Sequence, residues 1–169
     1  MFLWEKRAYQ EGSSIIIGVD EAGRGPLAGP VVAAAVSLKK TPLKRFNLPK
    51  FKARIDDSKK LPPNQRDRSF SAISKKSFSH TGLKNHTFID KKNILLATKS
   101  AMREAVLKLI KEYCLANNKN ELDIRNKISI LIDGNMTLDL PYKMIPIIKG
   151  DSKSVSIAAA SIIAKVTRD

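Results

Sequence analysis

The sequence is poor in cysteine, in long apolar runs and in acidic residues. Cys114 is the single cysteine among 169 residues, so an internal disulfide is excluded and a reduced thiol is expected. No apolar run approaches the roughly 18 residues that cross a bilayer. The amino terminus also lacks an apolar core long enough for a secretory signal. These absences predict a cytoplasmic protein without a membrane partner.

Acidic residues are outnumbered, with 16 Asp and Glu against 31 Lys and Arg, giving a formal net charge of +15. Such a positive net charge favours polyanionic partners, nucleic acid first and an anionic membrane surface second. Solubility or a lysine-rich genome is the alternative interpretation. A hydrophobic content of 43% is typical of a globular chain. The length predicts one domain over residues 1–169, with a monomer as the default.

The chain alternates strand and helix patterns. Apolar, β-rich runs predict strands over 15–19, 31–38, 128–132 and 145–148, the first two being antiparallel neighbours. Helical spacing predicts helices after Pro62, over 93–113 and over 155–166. Residues 41–54 and 117–127 are expected to be surface connections, and the ambiguous segment 77–89 is expected to hold a strand at 87–89. This order predicts an α/β protein with a mixed sheet.

Three of the predicted strands lead into acids. Asp20 and Glu21 follow the first, Asp133 follows the strand over 128–132, and Asp151 comes shortly after the last. If these strands are neighbours, four carboxylates meet at one end of the sheet, where open α/β sheets place ligands. Four like charges would repel one another unless protonated, splayed apart or bridged by a cation. An all-oxygen set without His or Cys suits Mg²⁺ or Mn²⁺.

A turn beside the first two acids suits an anionic ligand. Gly23 and Gly25 allow the backbone to come close to a ligand, and Arg24 between them offers a planar fork for a phosphate. A solvated acidic turn is the alternative interpretation of this stretch taken alone. Together with the other acids, the turn favours metal-assisted cleavage of a phosphodiester.

Six motifs, in order, resemble the type 2 ribonuclease H (ribonuclease HII) family. They are Gly18-Val19-Asp20-Glu21-Ala22-Gly23-Arg24-Gly25-Pro26-Leu27-Ala28-Gly29-Pro30-Val31-Val32-Ala33-Ala34, Asp57-Ser58-Lys59-Lys60-Leu61, Asn93-Ile94-Leu95-Leu96-Ala97-Thr98, Ile132-Asp133-Gly134-Asn135, Lys149-Gly150-Asp151-Ser152-Lys153 and Ile157-Ala158-Ala159-Ala160-Ser161-Ile162-Ile163-Ala164-Lys165-Val166-Thr167-Arg168-Asp169. The resemblance implies a ribonuclease H-like fold, a mixed five-stranded sheet flanked by helices. It also implies hydrolysis of the RNA strand of RNA–DNA hybrids and nicking of duplex DNA 5′ to embedded ribonucleotides. The products would carry a 5′-phosphate and a 3′-hydroxyl.

The resemblance assigns roles residue by residue. The matching catalytic and metal-binding acids are Asp20, Glu21, Asp133 and Asp151; Asp169 is not chosen, because the family's fourth acid lies in the Lys-Gly-Asp motif. The Gly23-Arg24-Gly25 turn matches the turn that recognises the ribonucleotide in the family. The 2′-hydroxyl of the ribonucleotide is the group that distinguishes RNA from DNA. Further expected substrate contacts are Ser58, Lys59, Lys60, Asn135, Lys149 and Ser152.

One departure concerns the carboxyl end. Family members usually continue into a tail with a Lys-Gly-Tyr-Gly motif, which is absent from residues 1–169. The expectation is either a piece of a longer protein or a reduced substrate platform. Two other hypotheses therefore stay open: a non-catalytic nucleic-acid binder, and a DNA-cutting metal nuclease of the same broad fold.

Overall fold

The computed structural model describes residues 1–25, 29–39 and 49–169. Five strands and six α-helices are found there. The strands are β1 Ile15–Ala22, β2 Val31–Leu38, β3 Ser77–Lys84, β4 Ile128–Asp133 and β5 Lys143–Ile147; the helices are α1 Leu3–Gln10, α2 Pro63–Lys76, α3 His86–Lys92, α4 Ile94–Asn117, α5 Glu121–Ile124 and α6 Val155–Arg168.

The strands form one mixed sheet in the order β3-β2-β1-β4-β5. β2 pairs antiparallel with β1 and with β3, whereas β4 runs parallel to β1 and β5 runs parallel to β4. The carboxyl ends of β1, β4 and β5 therefore lie at the same edge of the sheet. The predicted five-stranded mixed sheet is confirmed.

Helices cover both faces of the sheet, which is why β2 is buried along its whole length. α4 packs on one face against Ile17 and Val19, and α2 and α6 cover the other. Side chains alternate along β1, so Ile16, Gly18 and Asp20 belong to the α6 face. A Cβ on Gly18 would lie 2.1 Å from the carbonyl carbon of Ser156. The absence of a side chain at Gly18 thus lets α6 lie directly on β1.

The amino-terminal helix α1, which sequence patterning did not predict, anchors the start of α6. Glu5 is fully buried, and its Oε1 accepts hydrogen bonds from Ser154 Oγ and the Ser156 amide, at 2.5 and 2.9 Å. Ser154 also caps the helix by accepting from the Ile157 amide. A carboxylate at the amino end of a helix is stabilised by unpaired amides and the helix dipole.

Most predicted elements are found, and two expectations need comment. The strand predicted over 87–89 is wrong: these residues lie in α3, which the Asn85 side chain caps at the Phe88 amide, and the strand of that segment is β3. Of the loop predicted over 41–54, residues 41–48 lie outside the described ranges. Within those ranges, no helix combines the length and apolar character needed to cross a bilayer.

Candidate active site

The four predicted acids line one cavity of about 310 Å³ at the carboxyl ends of the parallel strands. β1 runs on through its two acids, with Asp20 opposite Ala34 and Glu21 opposite Ala33. Asp133 is the last residue of β4, and Asp151 lies in a short 3₁₀ turn, Gly150–Ser152, after β5. Sequence-distant carboxylates are thereby brought together by the register of three adjacent strands.

Asp20 is the most enclosed of the four, with 5% of its surface exposed. Burial, together with the negative charges of Glu21 and Asp133, raises the pKa of the Asp20 carboxyl well above its ordinary value. The Glu21 amide, which donates to Asp20 Oδ1 at 2.7 Å, opposes this rise only in part. In the absence of a cation, the charged form of Asp20 is therefore disfavoured.

Glu21 combines a satisfied oxygen and an unsatisfied one. Its Oε1 accepts a hydrogen bond from Arg24 Nη1 at 3.1 Å, while its Oε2 is buried and has no partner. Burial raises the pKa of Glu21, the Arg24 guanidinium opposes that rise, and the charge of Asp133 adds to it. A buried carboxylate oxygen without a donor, on a residue that shares a cavity with three other acids, is a position that a cation would satisfy.

Asp133 and Asp151 are linked through the backbone. Asp133 Oδ1 accepts a hydrogen bond from the Gly150 amide at 2.6 Å, and Gly150 directly precedes Asp151. Burial and the charges of Asp57 and Asp133 raise the pKa of Asp151. A Cβ on Gly150 would lie 2.6 Å from Ile157 Cδ1. The turn that carries Asp151 is thus packed against α6 and tied to β4.

The Gly-Arg-Gly turn lies at the mouth of the same cavity. Gly23 has a φ of +107°, and a Cβ there would lie 2.5 Å from Pro30 O and 2.6 Å from Arg168 Nε. Arg168 Nε donates to Pro30 O at 3.1 Å, so the end of α6 braces this turn. Arg24 and Gly25 are exposed to solvent at the opening.

The other predicted contact residues divide into two groups. Ser58 and Lys59 line the cavity, and the buried Ser58 Oγ accepts a hydrogen bond from Ser161 Oγ at 2.8 Å. The remaining four lie outside the lining, exposed to solvent; they are Lys60, Asn135, Lys149 and Ser152. Lys60 pairs with Asp56, and Ser152 Oγ donates to the Lys149 carbonyl.

Sequence patterning missed four lining residues, the apolar Ala22 on β1 and three polar residues on α6. Ser161, Lys165 and Arg168 face the cavity, spaced by four and three residues on one side of the helix. That spacing is the signal by which they could have been found. Asp169 accepts from Lys165 and Arg66 and is not part of the lining, as expected from the choice of Asp151.

The acids surround the cavity without already converging on one point. In the described ranges, no three His, Cys, Asp or Glu side chains are close enough together to ligate a single ion. Asp20, Glu21 and Asp133 instead each accept a hydrogen bond from one of the protein donors named above. The donor chemistry, the raised pKa values and the unpartnered Glu21 Oε2 still fit a hard divalent cation.

Comparisons with known proteins agree with this architecture. A ribonuclease HII of Caldanaerobacter subterraneus subsp. tengcongensis is 44% identical over 171 residues, covering 100% of this chain and 61% of that protein. The ribonuclease H2 structure from Pyrococcus horikoshii OT3 is 28% identical, with a TM-score of 0.59 over 92% of this chain and 72% of that one. Bst-RNase HIII in complex with Mn²⁺ is 24% identical, with a TM-score of 0.64 over 95% and 54% of the two chains, and is a likeness of fold alone.

The matches extend over nearly the whole chain but not over the whole of its relatives. The chain spans between 58% and 67% of the length of the four curated relatives compared, each named ribonuclease HII. The ribonuclease H-like fold expected from the motifs is confirmed by the solved structures. Since the family model described as Ribonuclease HII matches residues 17–169, from β1 through α6, this chain belongs to the ribonuclease HII family.

Proposed function

We propose that the chain carries the catalytic site of a metal-dependent endoribonuclease. It hydrolyses the RNA strand of RNA–DNA hybrids and nicks duplex DNA 5′ to an embedded ribonucleotide, leaving 5′-phosphate and 3′-hydroxyl ends. One observation carries the proposal: Asp20, Glu21, Asp133 and Asp151 share a cavity with the Gly23-Arg24-Gly25 turn. Carboxylates and an anion-binding turn in one pocket suit a polyanion that is bound and cut there.

The proposed cofactor is Mg²⁺ or Mn²⁺, held by the four acids. A structurally similar protein, Bst-RNase HIII, has been solved with Mn²⁺. When bound, divalent ions in such a site lower the pKa of the attacking water and stabilise the leaving oxygen. The raised pKa of Asp20, caused by burial and neighbouring carboxylates, means that cation binding and release of its proton are coupled.

The chain's own residues would position the substrate. Arg24, Lys59 and Arg168 bring positive charge to the cavity, where phosphate oxygens would approach. Arg24 is paired with Glu21 in the structure, and its side chain is 45% exposed, so it can exchange that carboxylate for a phosphate. Gly25 is exposed at the opening of the cavity, so a 2′-hydroxyl can approach its backbone, and the family resemblance suggests the same role for Gly23.

A single assay separates this proposal from the two other hypotheses. The chain is incubated with Mg²⁺ or Mn²⁺ and a labelled DNA duplex containing one ribonucleotide, with all-DNA and RNA–DNA duplexes alongside. We expect cleavage only where ribonucleotides are present, none in EDTA, and none for Asp20→Asn. Asp139→Asn, an equal substitution at an exposed position outside the cavity, should cleave normally.

The other outcomes identify the alternatives. Binding without nicking would make the chain a nucleic-acid binder, and equal cutting of all-DNA would make it a DNA nuclease. The proposed setting is the cytoplasm, supported by the free thiol of Cys114. The proposed monomeric state is tested by sedimentation equilibrium across a range of chain concentrations.

A further inference from the structure

A second concave surface lies along the outer side of α2, away from the acids. It is a groove of about 640 Å³ between residues 51–53 and the carboxyl-terminal half of α2. Its polar and aromatic lining comprises Phe51, Lys52, Arg68, Ser71, Lys75 and Lys76. On α2, residues 68, 71, 72 and 75 repeat with helical spacing, while Ser69 and Ile73 are buried on the opposite side. We refer to this surface as the α2 groove.

The α2 groove is strongly positive and contains no acid. Four of its lining residues are Lys or Arg, and Asp67, the acid of α2, is not among them. Lys76 is engaged within the protein, since its Nζ donates to the Lys50 carbonyl at 2.6 Å and lies 5.6 Å from the centre of the Phe51 ring.

The other three cations of the groove are exposed, and none has an ion-pair partner in the described part of the chain: Lys52, Arg68 and Lys75. In contrast, Lys84 and Lys108 on the other side of the sheet both form ion pairs with Glu104. Three uncompensated cations around one concave surface are suited to a row of phosphates.

The helix that carries the groove begins beside the candidate active site. Arg66 Nη1 contacts Asp169 Oδ2 at 3.2 Å, next to the cavity-lining Arg168. The other end of α2 leads into Ser77, which pairs with Leu38 at the far end of the sheet. Lys75 lies nine residues beyond Arg66, or about 13 Å along the helix axis. Since a duplex advances 3.4 Å for each base pair, that distance is about four base pairs.

We propose that the α2 groove is a second binding site for the sugar–phosphate backbone, contacted by one arm of the duplex about four base pairs from the scissile position. This inference rests on the proposed function, which puts the scissile position of the duplex in the cavity beside the four acids. The lining of the α2 groove contacts the phosphate charges, which DNA and RNA share. It has no glycine turn like that beside Asp20, so the groove binds DNA and RNA arms alike. The groove thus supplies affinity, while the cavity supplies the choice of ribonucleotide.

The test uses two variants that remove the same charge. The groove variant is Lys52→Gln, Arg68→Gln and Lys75→Gln; the control variant is Lys111→Gln, Lys119→Gln and Lys127→Gln, at exposed positions on α4 and in the segments that follow it. The probes are fluorescein-labelled DNA hairpins with one ribonucleotide. Each has an arm of about 2 base pairs, too short to reach the groove, or of about 14 base pairs, on the 5′ or the 3′ side of that nucleotide. Binding is measured by anisotropy in EDTA at increasing KCl, and folding is checked by circular dichroism.

For the longer arm on one side, the groove variant should lower the slope of log affinity against log salt by about two to three, at roughly 0.9 per phosphate contact. Its affinity at 0.1 M KCl should fall about tenfold or more, with little change for the short-arm hairpin or for the control variant. Equal losses of affinity in both variants would show that the groove contributes only through the overall positive charge of the protein, and would overturn the proposal. Equal losses for short and long arms would also overturn it.

Binding is measured without divalent ions, so the result does not depend on catalysis. A chain that binds the long arm through the groove but never cuts would contradict the proposed function alone. A chain that cuts normally, with unchanged binding in the groove variant, would contradict this inference alone.

Discussion

Replacing Asp20 by Asn should make the metal-free protein more stable while removing metal binding. Asp20 is 5% exposed and lies near two other carboxylates, Glu21 and Asp133. Its raised pKa, caused first by burial and then by those charges, means that ionised Asp20 works against folding. Asparagine has nearly the same shape, keeps an acceptor for the Glu21 amide and carries no charge.

The size of the effect follows from two opposing contributions. A buried charge without a partner costs a fold about 3–5 kcal/mol, and because the Glu21 amide compensates Asp20 in part, removing this charge should stabilise by about 1–4 kcal/mol. The hydrogen bond from the Glu21 amide, 2.7 Å long, becomes neutral instead of charge-assisted, which costs about 1 kcal/mol. We therefore expect a net gain of up to about 3 kcal/mol at pH 8, or up to roughly 10 °C in Tm for a chain of this length.

The pH dependence has a definite sign. The folded state holds the Asp20 proton more tightly than the unfolded chain, whose pKa is near the ordinary 3.8. The wild-type protein therefore loses stability as pH rises from about 4 through the raised pKa of Asp20, and the variant lacks this loss. The difference in Tm should be largest at pH 8 and should shrink steadily towards pH 4, since Asp20 is protonated in both states only below its ordinary pKa of 3.8.

Thermal melts in EDTA, from pH 4 to pH 8, provide the measurement, with Asp139→Asn as the exposed control. Added Mg²⁺ or Mn²⁺ should raise the Tm of the wild type and leave that of Asp20→Asn unchanged, since binding to the folded state alone stabilises it. A variant no more stable than the wild type at pH 8, or a difference that persists unchanged to pH 4, would refute the reasoning.

Three further predictions concern packing, helix anchoring and metal affinity. Gly18→Ala should lower the free energy of unfolding by about 2–4 kcal/mol in urea denaturation, because its Cβ would overlap the Ser156 backbone; an unchanged midpoint would contradict the close approach of α6. Glu5→Ala should cost about 2–4 kcal/mol by leaving the buried Ser156 amide without an acceptor, and Glu5→Gln should cost less; equal losses in denaturation would argue against this hydrogen bond as the cause. Arg24→Gln should increase Mn²⁺ affinity a few-fold in calorimetry without nucleic acid, about 1 kcal/mol, because a cation paired with Glu21 is removed; weaker Mn²⁺ binding would show that the arginine supports the site instead.

Much of the fold could be predicted because its strands and helices follow simple patterns. The apolar run over 15–19 and the helical spacing over 93–113 lie where β1 and α4 are found. The grouping of Asp20, Asp133 and Asp151 also followed from sequence, since each comes after an apolar run and parallel strands end at a common edge. Local patterns were sufficient wherever burial and periodicity agreed.

Other features depend on contacts between distant residues. The segment over 86–92 has β-branched and aromatic residues, yet the Asn85 cap makes it a helix. Residues 77–84 form β3 because β2 supplies a partner, which no local pattern indicates. Lys60 and Lys149 share motifs with lining residues, but lie outside the cavity because each turn exposes only some of its side chains to it.

The hydrogen bond from the Gly150 amide to Asp133 Oδ1 affects how mutants of this site should be interpreted. Truncating Asp133 to alanine removes a carboxylate and also the acceptor that holds the Gly150 amide. One substitution therefore disturbs two acids, Asp133 itself and Asp151 in the adjoining turn. Asparagine at the same position preserves the acceptor and isolates the loss of charge. Comparing Asp133→Ala with Asp133→Asn therefore separates ligand chemistry from loop placement, a distinction that an alanine scan alone would hide.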